Sequence, residues 1–187
     1  MANESLPSDP AAPGPANPHE LLALFYSDES IPCELNPAAE AMPSGYRSLL
    51  DHEKHMTVTV EAFHNDLVDV RVLAVESDEN YYARKILLTK KSDGKVVQFG
   101  VVRLNRNLIP PAALAEIESQ RTPLGRVLIE QNVMREVKLD ALWHVTPDTE
   151  LKELFGSDLP TYGRSARLHV NSESAVELLE IVAPIVE

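Results

Sequence analysis

A chain of 187 residues, 44% of them hydrophobic and 25% charged, has room for one well-filled core, and dividing it into two domains would leave each half marginal. Its formal net charge of -12 repels phosphate backbones and anionic bilayers, which sets aside nucleic acid and membrane as partners. The single cysteine, Cys33, excludes an intramolecular disulfide and a cysteine-built zinc site, and fits a reducing cytoplasm.

A small anionic ligand stays compatible with this charge, because a local buried arginine outweighs a distant, screened surface field. No apolar run is long enough to span a bilayer, and the N-terminus carries neither a basic region nor an apolar signal segment. A cytoplasmic protein is expected.

Residues 1 to 17, rich in Pro, Ala and small polar residues, bury too little apolar surface to offset the entropy of ordering and read as a disordered tail. The domain is expected over 18–187. Glu20 to Tyr26 forms a short helix candidate, a loop runs through Pro32 and Pro37, and a second helix is expected around residues 38 to 52. Thr57-Val58-Thr59-Val60-Glu61 and Val68-Asp69-Val70-Arg71-Val72 both alternate apolar with polar across His64-Asn65-Asp66, which predicts a hairpin.

A second hairpin is predicted from residues 81–90 and 95–104 across Ser92-Asp93-Gly94, where glycine permits the positive φ of a tight turn. Residues 110 to 120 and 123 to 131 read as short helices, and 133 to 139 as a strand. Trp143 and His144 fall in an expected loop, in a packing role. A helix capped by Thr146, with Pro147 in its first turn, runs toward Gly156. Strands at 161–170 and 175–184 flank Asn171-Ser172-Glu173-Ser174 as a third hairpin. Helices that bracket and interrupt an antiparallel sheet make the fold class α+β.

Two charges stand out against this pattern. Alternation puts Arg84 on one strand face with Tyr82, Ile86 and Leu88, and Glu180 on one face with Val176, Leu178 and Val182. Charges placed among apolar residues are normally paired, hydrogen-bonded or used. An internal Arg84–Glu180 salt bridge, exposure at a sheet edge and a ligand site all satisfy that rule. Arg164 and Arg167 fall on opposite faces of their strand, so one can be solvated while the other reaches inward.

Met56-Thr57, Arg84 to Leu88, Thr122-Pro123-Leu124-Gly125-Arg126, Tyr162 to Leu168 and Glu180 to Pro184 follow one another in an order that resembles the chorismate pyruvate-lyase family, both its ubiquinone-pathway members and its actinobacterial-type branch. The resemblance covers about residues 20 to 187 and rests on order and spacing. It implies an antiparallel sheet of about six to seven strands with helices on one side. It also implies elimination of pyruvate from chorismate to give 4-hydroxybenzoate, without cofactor or metal. A monomer is expected. Arg84 and Glu180 carry over as the catalytic pair. Arg84 would grip the ring carboxylate and Glu180 would face the oxygen at the other end, while Met56 and Leu124 would contact the substrate beside them. Val101 stands where ubiquinone-branch members have an arginine, and Arg103, two residues on, keeps the same strand face. The alternative on the same fold is a non-catalytic, sensor-type domain that binds a small aromatic acid.

Other local patterns carry less. His52 and His55 are three residues apart, not the four of a metalloprotease helix, and no third metal ligand is identifiable. Gly125 lacks the context of a phosphate loop, and no nucleophile elbow is present.

Overall fold

The computed structural model describes residues 14–38, 42–133 and 135–185. One seven-stranded sheet organises them, in the order β1-β5-β6-β7-β4-β3-β2 with every neighbouring pair antiparallel. The strands are β1 (Cys33–Pro37), β2 (Val68–Ser77), β3 (Tyr81–Lys90), β4 (Val96–Asn105), β5 (Arg135–Pro147), β6 (Thr161–Val170) and β7 (Glu173–Val182). Two three-strand meanders, β2-β3-β4 and β5-β6-β7, are joined through the β4–β7 ladder, which buries the last strand at the centre. The expected α+β class is what the chain adopts.

The helices are α1 (Pro18–Ala23), α2 (Ser44–Leu50), α3 (Met56–His64), α4 (Pro111–Glu118), α5 (Leu124–Glu130) and α6 (Thr149–Phe155). Helices α2 to α5 cover one face of the sheet, where Leu50, Met56, Ile117 and Leu128 pack with Ile86, Val102, Leu178 and Val182. Helices α1 and α6 cover the other, where Leu21, Leu22, Leu151 and Phe155 meet Leu87, Phe99, Val101, Leu179 and Ile181. The expectation of helices to one side therefore describes the four that border the site. The remaining two fill the apolar second face that strand alternation creates.

Several sequence expectations are corrected. Residues 57–61 are not a strand: they lie in α3, and β2 pairs with β3 instead. The helix turns Met56, Thr57 and Val60 inward and leaves Val58 46% exposed, whereas a strand would have put Val58 and Val60 on one face. Burial against α2, α5 and the sheet overrides the β-branched composition, and Asn65, in the left-handed region, stops the helix.

Residues 33–37, assigned to a loop, form edge strand β1 on β5. Prolines are tolerated at such an edge. Trp143 and His144 lie within β5, not in a loop. Trp143 does take a packing role, donating from Nε1 to Ser165 Oγ at 3.1 Å. The cap of α6 is Asp148, whose carboxylate accepts from Thr149 N, and not Thr146. Packing begins before Pro18, since Ala16 is buried and donates from its backbone to Asp140, and Asn17 caps α1. Residues 1–13 of the expected tail and Met134 of the expected 133–139 strand lie outside the described residues.

Candidate functional site

On the face covered by α2 to α5, strand pairing stacks side chains in rows. Arg84, Val102 and Leu178 form one row, and Ile86, Gly100, Glu180 and Arg164 form the next. Gly100 contributes no side chain to the floor between Ile86 and Glu180, and the space above it is a cavity roofed by Met56 and Thr57 at the start of α3 and by Leu124 and Gly125 at the start of α5. All four residues expected at the site, Met56, Arg84, Leu124 and Glu180, line this one cavity. Its free space is about 40 Å³, enough for a few water molecules. A ring-sized ligand enters only as the covering side chains move outward.

Arg84 is 1% exposed. Its Nη1 and Nη2 donate to the carbonyls of Ile117 and Thr122, at 3.1 and 3.4 Å, and among the described residues its Nε has no hydrogen-bond partner. Burial lowers its pKa, with the nearby Tyr82 phenol acting in the opposite sense. A guanidinium stays charged under such a shift. The site thus holds a fixed cation satisfied by neutral carbonyls, with donor capacity to spare.

Glu180 does not pair with Arg84. Arg164, on the neighbouring strand and fully buried, donates from Nε to Glu180 Oε2 at 2.7 Å. Its Nη1 and Nη2 donate to the carbonyls of His52 and Lys54 at 2.8 and 3.0 Å. One guanidinium therefore fixes the cavity's carboxylate and ties down the segment that leads into α3. Of the two arginines expected on opposite strand faces, Arg164 reaches the cavity, and Arg167 forms an ion pair with Asp140 on the far side.

The two histidines of that segment are engaged with arginines. His52 donates from Nε2 to Leu49 O and accepts at Nδ1 from Arg164. His55 accepts at Nε2 from Arg135 Nε at 2.5 Å. Burial, and then the charges of Arg135 and Arg164, push the His55 pKa down to about 4. Among the described residues no group of His, Cys, Asp and Glu is placed to hold a metal ion.

The Thr122–Arg126 segment builds a wall of the site residue by residue. Thr122 O receives Arg84, Leu124 faces the cavity, and Arg126 pairs with Glu61 of α3 and donates to Val68 O. A Cβ at Gly125 would lie 3.1 Å from His55 Cβ and from Thr57 Oγ1, so glycine lets α5 close on α3. Gly163 plays the same part in the sheet, since a Cβ there would stand 2.8 Å from the Glu180 backbone oxygen. Val101 and Arg103 are both turned from the cavity: Val101 is buried on the opposite sheet face, and Arg103 pairs with Glu177 at 2.6 Å. Arg103 does not supply a second cation.

Sequence reasoning missed Gln98, which lines the cavity at 2% exposure. Its position two residues before Gly100 on the same strand face was the available signal.

Solved structures share this architecture. The effector domain of PhnF from Mycobacterium smegmatis superposes with a TM-score of 0.52 at 14% identity, over 70% of this chain and 88% of that domain. The fold is chorismate lyase-like. A longer structure of PhnF from the same organism gives a TM-score of 0.51 at 15% identity, over 69% of this chain. The chain spans 63% of that longer protein. No protein-family model and no curated protein matches the sequence. At these identities the chorismate lyase-like likeness is one of fold. Among the described residues no helix is long and apolar enough to cross a membrane.

Proposed function

We propose that this chorismate lyase-like chain is a binding domain for a small aromatic acid, with Arg84 as the partner of the ring carboxylate. The observation that carries the reading is the state of Arg84: a buried guanidinium at the wall of a mostly apolar cavity, donating to the carbonyls of Ile117 and Thr122 beside the Tyr82 phenol, and among the described residues with no ion pair and with Nε unpartnered. A planar, permanently charged fork suits bidentate carboxylate recognition, and exclusion of water strengthens that contact. Met56 and Leu124 supply the apolar walls for a ring, and Glu180 offers an acceptor for an oxygen at its other end. The likeness to the effector domain of PhnF supports a binding role over turnover.

A lyase reading is favoured by one specific observation: Glu180 and Arg84, the pair the resemblance makes catalytic, line the same cavity. In that reading Arg84 orients chorismate by its ring carboxylate while Glu180 acts near the ether oxygen, and pyruvate leaves as the ring becomes aromatic. The test incubates folded protein with chorismate and measures both bound ligand and released products. Retention of aromatic acid without pyruvate release supports the binding domain. Stoichiometric 4-hydroxybenzoate and pyruvate, lost on Glu180→Ala, would establish the lyase. Neither binding nor turnover overturns both.

A further inference from the structure

Gln98 sits one row beyond Glu180. It faces Leu88 on β3 and Val182 on β7, while Gly100, the next residue on the same strand face, sits between Ile86 and Glu180, and Val102 marks the row of Arg84. The order along the cavity floor is therefore Arg84, then Glu180, then Gln98. The surroundings of Gln98 are apolar, with Leu88, Val182 and Met56 in the core cluster beside it. At 2% exposure its Oε1 has no hydrogen-bond partner among the described residues.

A buried amide left unpaired among aliphatic side chains is unfavourable, and an apolar residue of similar length would pack there without that cost. Secondary structure does not need this side chain, since the β4 ladder is made by the backbone. The group is aimed into the cavity from the end away from Arg84.

Resting on the aromatic-acid reading, we propose that Gln98 is a specificity-determining residue of the same cavity, and that the preferred ligand carries a hydroxyl-bearing arm beyond the oxygen that faces Glu180. A hydroxyl both donates and accepts, so it satisfies the Gln98 amide in either orientation. A plain 4-hydroxybenzoate ends at Glu180 and leaves Gln98 stranded. A ligand with the longer arm meets Arg84 with its carboxylate and Gln98 with its hydroxyl, while its ether oxygen, an acceptor only, makes no hydrogen bond to the Glu180 carboxylate.

The test is calorimetric titration of wild type and Gln98→Met with three probes: 4-hydroxybenzoate, 4-(2-hydroxyethoxy)benzoate and 4-propoxybenzoate, the last two of equal length and differing by a hydroxyl against a methyl. Wild type is expected to prefer the hydroxyl arm over the propyl arm by about tenfold or more, and Gln98→Met to lose that preference. Gln98→Met should also melt at the same temperature as wild type or higher, because it removes a stranded polar group. Equal affinity of wild type for the two arms, or a preference that survives in Gln98→Met, overturns the proposal. So does a marked fall in the melting temperature of Gln98→Met, which would make Gln98 a structural residue. Arg84-dependent binding of 4-hydroxybenzoate with no binding of either longer probe overturns the Gln98 role and leaves the carboxylate site standing. Failure of all three probes on wild type overturns both.

Discussion

Glu180 gives its carboxylate to Arg164, 2.7 Å away across the β6–β7 ladder, and not to Arg84. Both partners are buried, so the pair has exchanged water for each other and for the carbonyls of His52 and Lys54. Removing one member leaves the other as a buried, uncompensated charge. Arg164→Met is expected to lower stability by about 3–5 kcal/mol, and the double variant Arg164→Met/Glu180→Leu to recover much of that loss. Urea denaturation of the four proteins in this cycle measures the coupling. Additive losses would show that the two side chains do not act as a pair.

The His55 pKa near 4 makes stability depend on pH. An unfolded histidine titrates near its ordinary value of about 6.5, so between there and the folded value the unfolded chain binds the extra proton. Stability should therefore be fully present above about pH 6.5 and fall toward pH 4, by up to about 3 kcal/mol from His55. His52 and His64 are lowered as well, chiefly by burial, and act in the same direction. His55→Gln should flatten the profile between pH 7 and pH 5 in urea melts. An unchanged slope would remove His55 as the cause.

Gly100 keeps the cavity floor open. A Cβ there would meet Ile86 Cδ1 and Leu179 O at 3.4 Å, which is ordinary contact. Gly100→Ala should therefore leave the fold intact and raise stability by about 0.5 kcal/mol, through reduced chain entropy in the unfolded state. It should weaken aromatic-acid binding, because the methyl occupies the space above the floor. Parallel melting and binding curves check both halves, and unweakened binding would move the ligand away from Gly100.

The site was legible in the sequence where strand alternation and burial agree. Arg84 and Glu180 stood out because charges on apolar strand faces need a partner, and both do line the cavity. Their partners were not legible, because alternation gives the face of a residue but not its neighbour on the next strand. Arg164 could be narrowed only to one of two faces, and the β6–β7 register decides that it meets Glu180. Met56, expected beside the substrate, lines the cavity from the start of a helix where the sequence suggested a strand. Thr57 to Glu61 satisfies the period of a strand, and only packing against α2 and α5 makes it the helix that roofs the cavity. Edge strand β1 was hidden by its prolines, and although α1 and α6 were expected as helices, no local pattern announced that they cover the second apolar face of the sheet.

The central claim is that Arg84 receives a ligand carboxylate, and the most direct measurement is titration of 4-hydroxybenzoate into wild type and Arg84→Met. Among the described residues Arg84 donates to the carbonyls of Ile117 and Thr122 and lies beside the Tyr82 phenol, with no ion pair, so the substitution should cost little stability, about 1 kcal/mol or less, because lost hydrogen bonds are offset by relief from burying a lone charge. Binding should fall by about 3 kcal/mol, on the order of a hundredfold, as a buried charge pair loses one member. Equal affinity in the two folded proteins would contradict the assignment of Arg84 as the carboxylate's partner.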